Sequence, residues 1–235
     1  MIRFPKPIAT EHLVHVAADA VTLDGDLRLP EDARAVVLFA HGSGSGRHSF
    51  RNRHVARLLN EAKLATLLID LLTANEEAID LHTAHLRFDI GLLARRLVGV
   101  TDWLGQDART GNLRIGYFGA STGAGAALVA AAERPGTVSA AVSRGGRPDL
   151  AGSALARVRV PVLLIVGGED VPVIALNRQA LASLQGRKRL VIVPEASHLF
   201  EEPGALATVA RLAADWFLEW LSPAGDLSGA AARSR

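Results

Sequence analysis

The sequence predicts an α/β protein with a mostly parallel central sheet and helices on both faces. Short runs rich in Val, Ile and Leu recur along the 235 residues, and stretches of helical periodicity separate them, as in parallel strands joined by helices. The apolar fraction is 49% and the aromatic fraction only 5%, so aliphatic side chains fill the core. This length suits a single domain, predicted over residues 1–222, with residues 223–235 as a mobile tail.

The elements follow in order along the chain. Residues 13–16 and 21–29 alternate polar and apolar side chains around Asp24-Gly25-Asp26, which indicates an antiparallel hairpin or meander at the sheet edge. Buried strands are predicted at residues 36–40, 66–70, 114–118, 140–143, 162–166 and 190–193. Helices are predicted at residues 52–61, 86–104, 122–133, 174–184 and 205–221. The polar, mixed segment 71–85 is expected to form an active-site rim or a very short cap.

The composition excludes several functional classes. The formal net charge is only +2 and no nucleic-acid module is recognisable, so no nucleic-acid partner is expected. The chain has no cysteine, which excludes disulfides, thiolate metal sites and a cysteine nucleophile. Residues 1–16 contain no continuous apolar run. We therefore expect no signal peptide or membrane anchor and take the cytoplasm as the default location.

The strongest local motif is Gly119-Ala120-Ser121-Thr122-Gly123. It lies directly after the apolar run 115–118 and directly before the Ala-rich run 124–132, which is the strand-turn-helix setting of a nucleophile elbow. A Gly-Ser-Gly turn can also simply connect a strand to a helix. The parallel strands predicted around this turn favour Ser121 as a nucleophile.

A serine nucleophile needs a general base, and the base needs a group that holds its tautomer. Asp170 follows the strand at 162–166 and His198 follows the strand at 190–193. Both are therefore expected at the carboxyl edge of the sheet, together with Ser121. We predict Asp170 as the orienting acid and His198 as the base. Glu169 is a rival acid, and Asp170 serving only as a cap of the next turn is the alternative.

The glycine-rich stretch His41-Gly42-Ser43-Gly44-Ser45-Gly46 follows the strand at 36–40. Backbone amides after the nucleophile and after an earlier strand usually stabilise the oxyanion of acyl transfer. We therefore predict the amides of Thr122 and Ser43 as these donors. Residue 47, where a dinucleotide loop has its third glycine, is Arg, and the Lys-Ser/Thr ending of a P-loop is absent. Nucleotide binding is not expected.

Three basic residues lie close to these motifs. Arg47 and His48 follow the glycine-rich stretch, and Arg144 follows the strand at 140–143. An arginine can hold a carboxylate or phosphate through two hydrogen bonds, so we predict that these residues face the pocket mouth and favour an ester with a negative charge. In the alternative, all three are solvated surface residues or Arg144 pairs with Asp149.

Together these motifs resemble those of the α/β-hydrolases, and among them the small dienelactone hydrolase-like members. The resemblance rests on residues 41–49, 119–123, 167–170 and 197–200 and spans residues 21–221. The chain is also similar to the hydrolase half of proteins fused to a phosphoribosyltransferase domain. The resemblance implies an α/β-hydrolase fold with little or no cap, a Ser-Asp-His triad, and ester hydrolysis without a metal or organic cofactor. Dienelactone hydrolases themselves use a cysteine nucleophile, so Ser121 argues against dienelactone as the substrate.

The sequence thus predicts a serine hydrolase that cleaves a small-molecule carboxylic ester through an acyl-enzyme on Ser121. A homo-oligomer remains an open alternative to a monomer. Acyl transfer to an acceptor other than water, or perhydrolysis, would use the same acyl-enzyme. A non-catalytic ligand-binding protein of the same fold is the alternative from another class, since fold alone does not establish activity.

Overall fold

An eight-stranded sheet forms the centre of the protein in the computed structural model, which describes residues 9–221. The strands are β1 (Ala9–Ala18), β2 (Val21–Pro30), β3 (Ala35–Ala40), β4 (Leu64–Ile69), β5 (Arg114–Ala120), β6 (Val138–Arg144), β7 (Val162–Gly167) and β8 (Lys188–Val193). Their order is β1-β2-β4-β3-β5-β6-β7-β8. The pairs β1–β2 and β2–β4 are antiparallel and the others are parallel. The predicted mostly parallel sheet is confirmed.

Within residues 9–221, six α-helices connect or follow the strands. They are α1 (Phe50–Glu61), α2 (Ala74–Thr83), α3 (Ile90–Gln106), α4 (Thr122–Glu133), α5 (Val171–Ser183) and α6 (Ala205–Leu221). Short 3-10 helical segments occupy Leu86–Phe88 and Pro148–Arg157. No helix of the described residues is both long and apolar enough to cross a membrane. The predicted tail at residues 223–235 lies outside the described residues.

The helices cover both faces of the sheet, as predicted. On one face, apolar side chains of α1 and α6 form a core cluster with β-strand residues such as Phe39 and Phe118. On the other face, α3 and α4 pack against residues such as Leu38 and Tyr117. Neighbouring residues of one strand point to opposite faces. The central strands are therefore buried on both sides, which explains their continuous apolar runs.

Several predicted boundaries differ from the observed ones. The hairpin turn lies at Asp19 and Ala20, both with positive φ, whereas Asp24-Gly25-Asp26 lies inside β2. The helix predicted from residue 86 begins at Ile90, because the Asp89 side chain accepts a hydrogen bond from the Leu92 amide and caps α3 there. Segment 71–85 contains α2, a single ten-residue helix, consistent with a rim or very short cap. The 3-10 segment at Pro148–Arg157 has no counterpart among the predicted elements.

Candidate active site

Ser121 occupies a sharp turn between β5 and α4. Its backbone has φ 50° and ψ −123°, a conformation that a side-chain-bearing residue adopts only when the surrounding structure imposes it. The Ser121 amide donates to the Arg144 carbonyl of β6, at 3.3 Å, and the Ser121 carbonyl accepts from the Arg147 amide at 3.0 Å. The turn is thus held by the adjacent loop, in the geometry of a nucleophile elbow.

Two glycines make this turn possible. A Cβ at Gly123 would lie 2.3 Å from the Ala40 carbonyl oxygen and 2.4 Å from that of His41. A Cβ at Gly119 would lie 2.5 Å from the Ala124 Cα. Real Cβ atoms do not approach backbone this closely, so no larger residue fits at either position. The glycines of the motif allow α4 to begin directly against the end of β3.

His198 and Asp170 form a hydrogen-bonded pair at the same edge of the sheet. The His198 Nδ1 lies 2.6 Å from the Asp170 Oδ2. Asp170 occupies the N-cap position of α5, but its side chain makes no capping hydrogen bond; the neighbouring Glu169 is exposed. The structure therefore pairs Asp170, rather than Glu169, with the histidine. An Nδ1–H donated to this carboxylate leaves Nε2 as the nitrogen free to accept a proton.

Other contacts hold the loop that carries His198. Hydrogen bonds from the Ser197 side chain and from the backbone of Glu202 and Ser197 lower the pKa of Glu202 below its ordinary value. Gly145, which has φ 49°, follows β6, and a Cβ there would lie 2.9 Å from the His198 carbonyl oxygen. The backbone after β6 thus packs directly against the histidine loop.

The two predicted oxyanion donors lie close to each other. The Ser43 amide donates to the Thr122 hydroxyl oxygen at 2.9 Å. Thr122 is the first residue of α4, so the Thr122 amide takes part in no hydrogen bond within the helix. Gly42 places the same loop beside Ser121, because a Cβ on Gly42 would lie 3.0 Å from the Ser121 Cβ. Of the two predicted donors, the Ser43 amide is engaged by Thr122 in this structure.

His41 fixes the glycine-rich loop against the segment that leads to α2. The Leu71 amide donates to His41 Nε2 at 3.0 Å, and His41 Nδ1 lies 3.0 Å from the Gly42 carbonyl. Because an amide can only donate, Nε2 is unprotonated and Nδ1 carries the hydrogen. Removal from water lowers the pKa of His41, outweighing the Gly42 carbonyl, Asp70 and Glu77, which raise it. This histidine is therefore a neutral structural link.

Ser121 and His198 line a common pocket with a volume of about 250 Å³. The loop after β3, the start of α1 and the end of β6 also contribute to its wall, through Ser43, Ser49, Arg51 and Arg144. Burial, followed by the charge of Arg51, lowers the pKa of Arg144 to about 10. Asp149, the alternative partner considered for Arg144, instead binds Arg147 with both carboxylate oxygens.

Arg47 and His48, the other basic residues predicted at the pocket mouth, lie elsewhere. The Arg47 amide donates to the Asp70 Oδ1 at 2.6 Å and its guanidinium pairs with the Asp70 Oδ2. His48 is exposed and its Nδ1 lies 2.6 Å from Arg53. Neither residue lines the pocket that contains Ser121. Two acidic residues explain why Arg47 lies away from this pocket. Asp70, its partner, directly follows β4, and Asp26 of β2 also lies near Arg47.

Sequence reasoning did not identify Arg51 as a pocket residue. The predicted helix begins at residue 52, whereas α1 begins at Phe50 and is capped by the Ser49 side chain, which accepts from the Asn52 amide. Ser49, directly after the glycine-rich stretch, is the capping signal that would have placed Arg51 in the first turn. Among residues 9–221, no group of three or more histidine or carboxylate side chains is arranged to hold a metal ion.

Comparison with known families identifies the relatives of this chain. The profile described as the dienelactone hydrolase family matches residues 31–224. The chain belongs to this family. Membership of the dienelactone hydrolase family agrees with the α/β-hydrolase fold that the sequence predicts. A putative phosphoribosyl transferase from Mycobacterium tuberculosis is 55% identical over 219 residues, which are 93% of this chain and 48% of the relative. The chain thus spans about half the length of the curated relatives it matches.

Several solved structures have the same fold as this chain. The crystal structure of a dienelactone hydrolase from Anabaena variabilis has a TM-score of 0.89 and 66% identity, covering 91% of this chain and 99% of that one. Est1E from Butyrivibrio proteoclasticus has a TM-score of 0.72 at 16% identity, covering 88% of this chain and 98% of its own. A dienelactone hydrolase-like promiscuous phosphotriesterase from metagenomic libraries has a TM-score of 0.74 at 18% identity, covering 92% and 99%. The last two likenesses show the fold alone.

Proposed function

We propose that this family member is a serine hydrolase that cleaves carboxylic esters through an acyl-enzyme on Ser121. The observation that carries the proposal is the 2.6 Å contact between His198 Nδ1 and Asp170, with His198 and Ser121 lining one pocket. A serine in a strained turn that shares a pocket with a carboxylate-paired imidazole supports activation of the serine hydroxyl by that imidazole. The dienelactone hydrolase name of the 66% identical structure is consistent with ester or lactone substrates.

In the proposed reaction, the Ser121 hydroxyl oxygen attacks the ester carbonyl carbon while His198 Nε2 accepts its proton. The Thr122 amide stabilises the negative charge that forms on the carbonyl oxygen. The Ser43 amide provides the second donor once the oxyanion replaces the Thr122 hydroxyl as its acceptor. The carbon–oxygen bond to the alcohol then breaks, and the alcohol leaves with the proton from His198. Water, activated by the same histidine, hydrolyses the acyl-enzyme and frees Ser121.

Covalent labelling and turnover test this mechanism together. A fluorophosphonate probe should add one adduct to the wild-type protein, detected by intact mass and mapped to Ser121. Ser121→Ala should abolish the adduct and lower turnover of the best substrate in a panel of short esters, lactones and thioesters by roughly 10³- to 10⁶-fold. Ser183→Ala is the matched control, because Ser183 lies on α5 and is exposed.

Two results would contradict the proposal. Near-normal turnover by Ser121→Ala would rule out Ser121 as the nucleophile. Complete absence of turnover across the panel, with no adduct on Ser121, would favour a non-catalytic ligand-binding protein. Competing methanol, a thiol or hydrogen peroxide in the assay identifies the acyl acceptor from the products, and so separates hydrolysis from acyl transfer and perhydrolysis.

A further inference from the structure

Residues 144–147, the β6 loop, hold the turn at Ser121 from both sides. The Arg144 carbonyl accepts from the Ser121 amide at 3.3 Å, and the Arg147 amide donates to the Ser121 carbonyl at 3.0 Å. Both peptide groups that flank the Ser121 Cα are therefore bonded to this loop. A strained backbone conformation persists only where its surroundings impose it, so the conformation of Ser121 depends on the position of the β6 loop.

The β6 loop also contacts His198. The Gly145 amide donates to the Ile165 carbonyl of β7 at 2.8 Å. A Cβ at Gly145 would lie 2.9 Å from the His198 carbonyl oxygen and 3.6 Å from Cε1 of the His198 ring. One short loop thus lies against both the serine and the histidine of the candidate site, and a shift of this loop would change how they face each other.

Asn177 of α5 anchors the β6 loop from below. Its side chain is fully buried, and its Nδ2 donates to the Gly146 carbonyl at 2.9 Å and to the Val173 carbonyl at 2.8 Å. Because both neighbours of Nδ2 are carbonyl oxygens, both of its hydrogens are used. The Asn177 Oδ1 is buried without a partner among the described residues.

Asparagine is an unfavourable choice at this position for stability alone. It is a weak helix former, and burying a polar group that is only partly hydrogen-bonded costs free energy. An apolar side chain would suit the interior of α5 better. What the asparagine adds is the hydrogen bond to Gly146, which joins α5 to the β6 loop.

The helix that carries Asn177 also presents the carboxylate of the candidate site. Asp170 is the N-cap residue of α5 and pairs with His198, and Asn177 lies seven residues later, about two helical turns. Asn177 therefore connects the element that places Asp170 with the loop that contacts Ser121 and His198. In the part of the chain that the structure describes, Asn177 lies outside the lining of the Ser121 pocket.

We propose that Asn177 is a positioning residue, which fixes the β6 loop relative to α5 and so sets the mutual placement of Ser121, His198 and Asp170. Its effect on turnover rests on the proposed function, whereas its anchoring of the loop does not require catalysis. Reacting groups must be held within a fraction of an ångström by the packing and hydrogen bonds behind them. Asn177 supplies such a hydrogen bond without touching the substrate.

Anchoring is tested first, by native-state hydrogen exchange of the Arg147 amide, followed by NMR. Asn177→Leu keeps the branched shape and removes the donor. Loss of one hydrogen bond should accelerate exchange of the Arg147 amide by about three- to tenfold.

The matched control is Asn60→Leu. Asn60 is also buried and also donates two hydrogen bonds, to the Leu64 carbonyl at 2.9 Å and to the Thr66 hydroxyl at 3.1 Å. It lies near the start of β4, at the edge of the sheet opposite the candidate site. Asn60→Leu should lower the Tm to a similar extent and leave exchange of the Arg147 amide at the wild-type rate.

Turnover is tested next, well below the Tm of each variant. In Asn177→Leu we expect kcat for the best ester of the panel to fall by about ten- to a hundredfold with little change in KM, because the reacting groups are misplaced while the pocket lining is kept. The rate of fluorophosphonate labelling of Ser121 should fall in parallel. Asn60→Leu should keep both rates, which separates positioning from a general loss of stability.

Asn177→Asp supplies a pH signature. A charged carboxylate cannot donate to the Gly146 carbonyl, whereas the protonated carboxyl group can, and burial favours the protonated form. The ratio of kcat/KM in Asn177→Asp to that in the wild type should therefore rise as the pH falls from 8 to 5.5. The same ratio for Asn60→Asp should stay constant with pH.

The outcomes separate this proposal from the hydrolase proposal. If the wild type neither hydrolyses an ester nor labels at Ser121, the hydrolase proposal fails, and the Arg147 amide alone decides: faster exchange in Asn177→Leu supports the anchor and unchanged exchange overturns it. If the wild type is active, equal kcat in Asn177→Leu and Asn60→Leu overturns the positioning role. Should Asn177→Leu not fold, a pH-independent ratio for Asn177→Asp overturns it instead.

Discussion

His198 and Asp170 lie 28 residues apart in the chain, yet their side chains meet at 2.6 Å. Their encounter follows from topology, because β7 and β8 are parallel neighbours and the loops after them leave the same edge of the sheet. The sequence was sufficient to predict this meeting, since each residue lies in the loop that follows an apolar run. When a residue follows a buried strand, the place of that strand in the sheet determines where along the sheet edge the residue lies.

The arginines show where residue-level prediction fails. Arg47 and Arg51 are both near the glycine-rich stretch, and the sequence alone does not show which of them an acidic residue of another segment binds. Asp70 binds Arg47, and that pair depends on the adjacency of β3 and β4. Arg51 reaches the pocket because α1 starts at Phe50. The partner of a long side chain depends on which residues the tertiary fold brings close to it, and the local sequence does not specify those residues.

At the residue scale, Asp170→Asn should lower kcat/KM by a factor of about 10⁴, because an amide in place of the carboxylate stabilises the wrong imidazole tautomer. Steady-state kinetics on the best ester of the panel provides the measurement. Glu169→Gln is the control, since Glu169 is exposed and should tolerate the change. A damaging Glu169→Gln together with a mild Asp170→Asn would reassign the acid to the neighbouring residue.

At the scale of elements, α2 differs from the other helices in how it is held. Asp80 is its one buried residue, and the carboxylate accepts from the amides of Leu86 and Arg87 and from the Arg87 guanidinium. The apolar side chains of Ile79 and Leu81 are exposed. Polar contacts rather than apolar packing therefore fix α2 beside the glycine-rich loop.

Element prediction succeeded where apolar periodicity was strong and failed where polar caps set the structure. The buried strands and α6 were visible as runs and repeats, because burying apolar surface determines them. The start of α2 was missed although Thr73 and Glu76 form a capping box whose Thr-x-x-Glu pattern is present in the sequence. The 3-10 segment at Pro148–Arg157 has no such periodic signal, and Gly152 interrupts it with φ 53°.

Thr73→Ala should loosen α2 without unfolding the protein. The Thr73 hydroxyl accepts from the Glu76 amide at 3.2 Å, and loss of an N-cap costs about 1 kcal/mol. Since α2 buries little apolar surface, this loss should appear as faster amide hydrogen exchange in residues 74–83, read by mass spectrometry. Thr83→Ala at the exposed opposite end is the control. Equal acceleration in both variants would refute the role of the capping box.

At the scale of the whole molecule, the two core clusters on opposite faces of the sheet are separated by a continuous layer of buried strands. The fold class was predictable because every central strand must be apolar on both sides. The loops at the carboxyl edge are connected by polar contacts instead. His41 is one such connection, joining the segment after β3 to the segment after β4.

His41 should make the stability of the whole molecule depend on pH. Burial lowers its folded-state pKa below the ordinary value of 6.5, so the unfolded chain binds a proton more readily. The contribution of neutral His41 to the free energy of unfolding is complete above about pH 6.5. It is lost as the pH falls toward the folded-state pKa of His41. Between pH 7.5 and pH 5, the free energy of unfolding measured in urea should decrease less in His41→Gln than in the wild type. Exposed His82→Gln should match the wild type, and a His41→Gln protein with the full wild-type loss would contradict the assignment.

The sharp turn at Ser121 also limits which substitutions the motif Gly119–Gly123 can accept. Gly119 and Gly123 admit no added carbon, because backbone atoms already lie within 2.5 Å of where it would be. The proposed nucleophile, Ser121, has no such restriction, because serine and cysteine differ in only one atom at the end of the side chain. We therefore expect that one substitution at Ser121 can replace the attacking oxygen by sulfur, whereas a side chain at either glycine is incompatible with the turn itself.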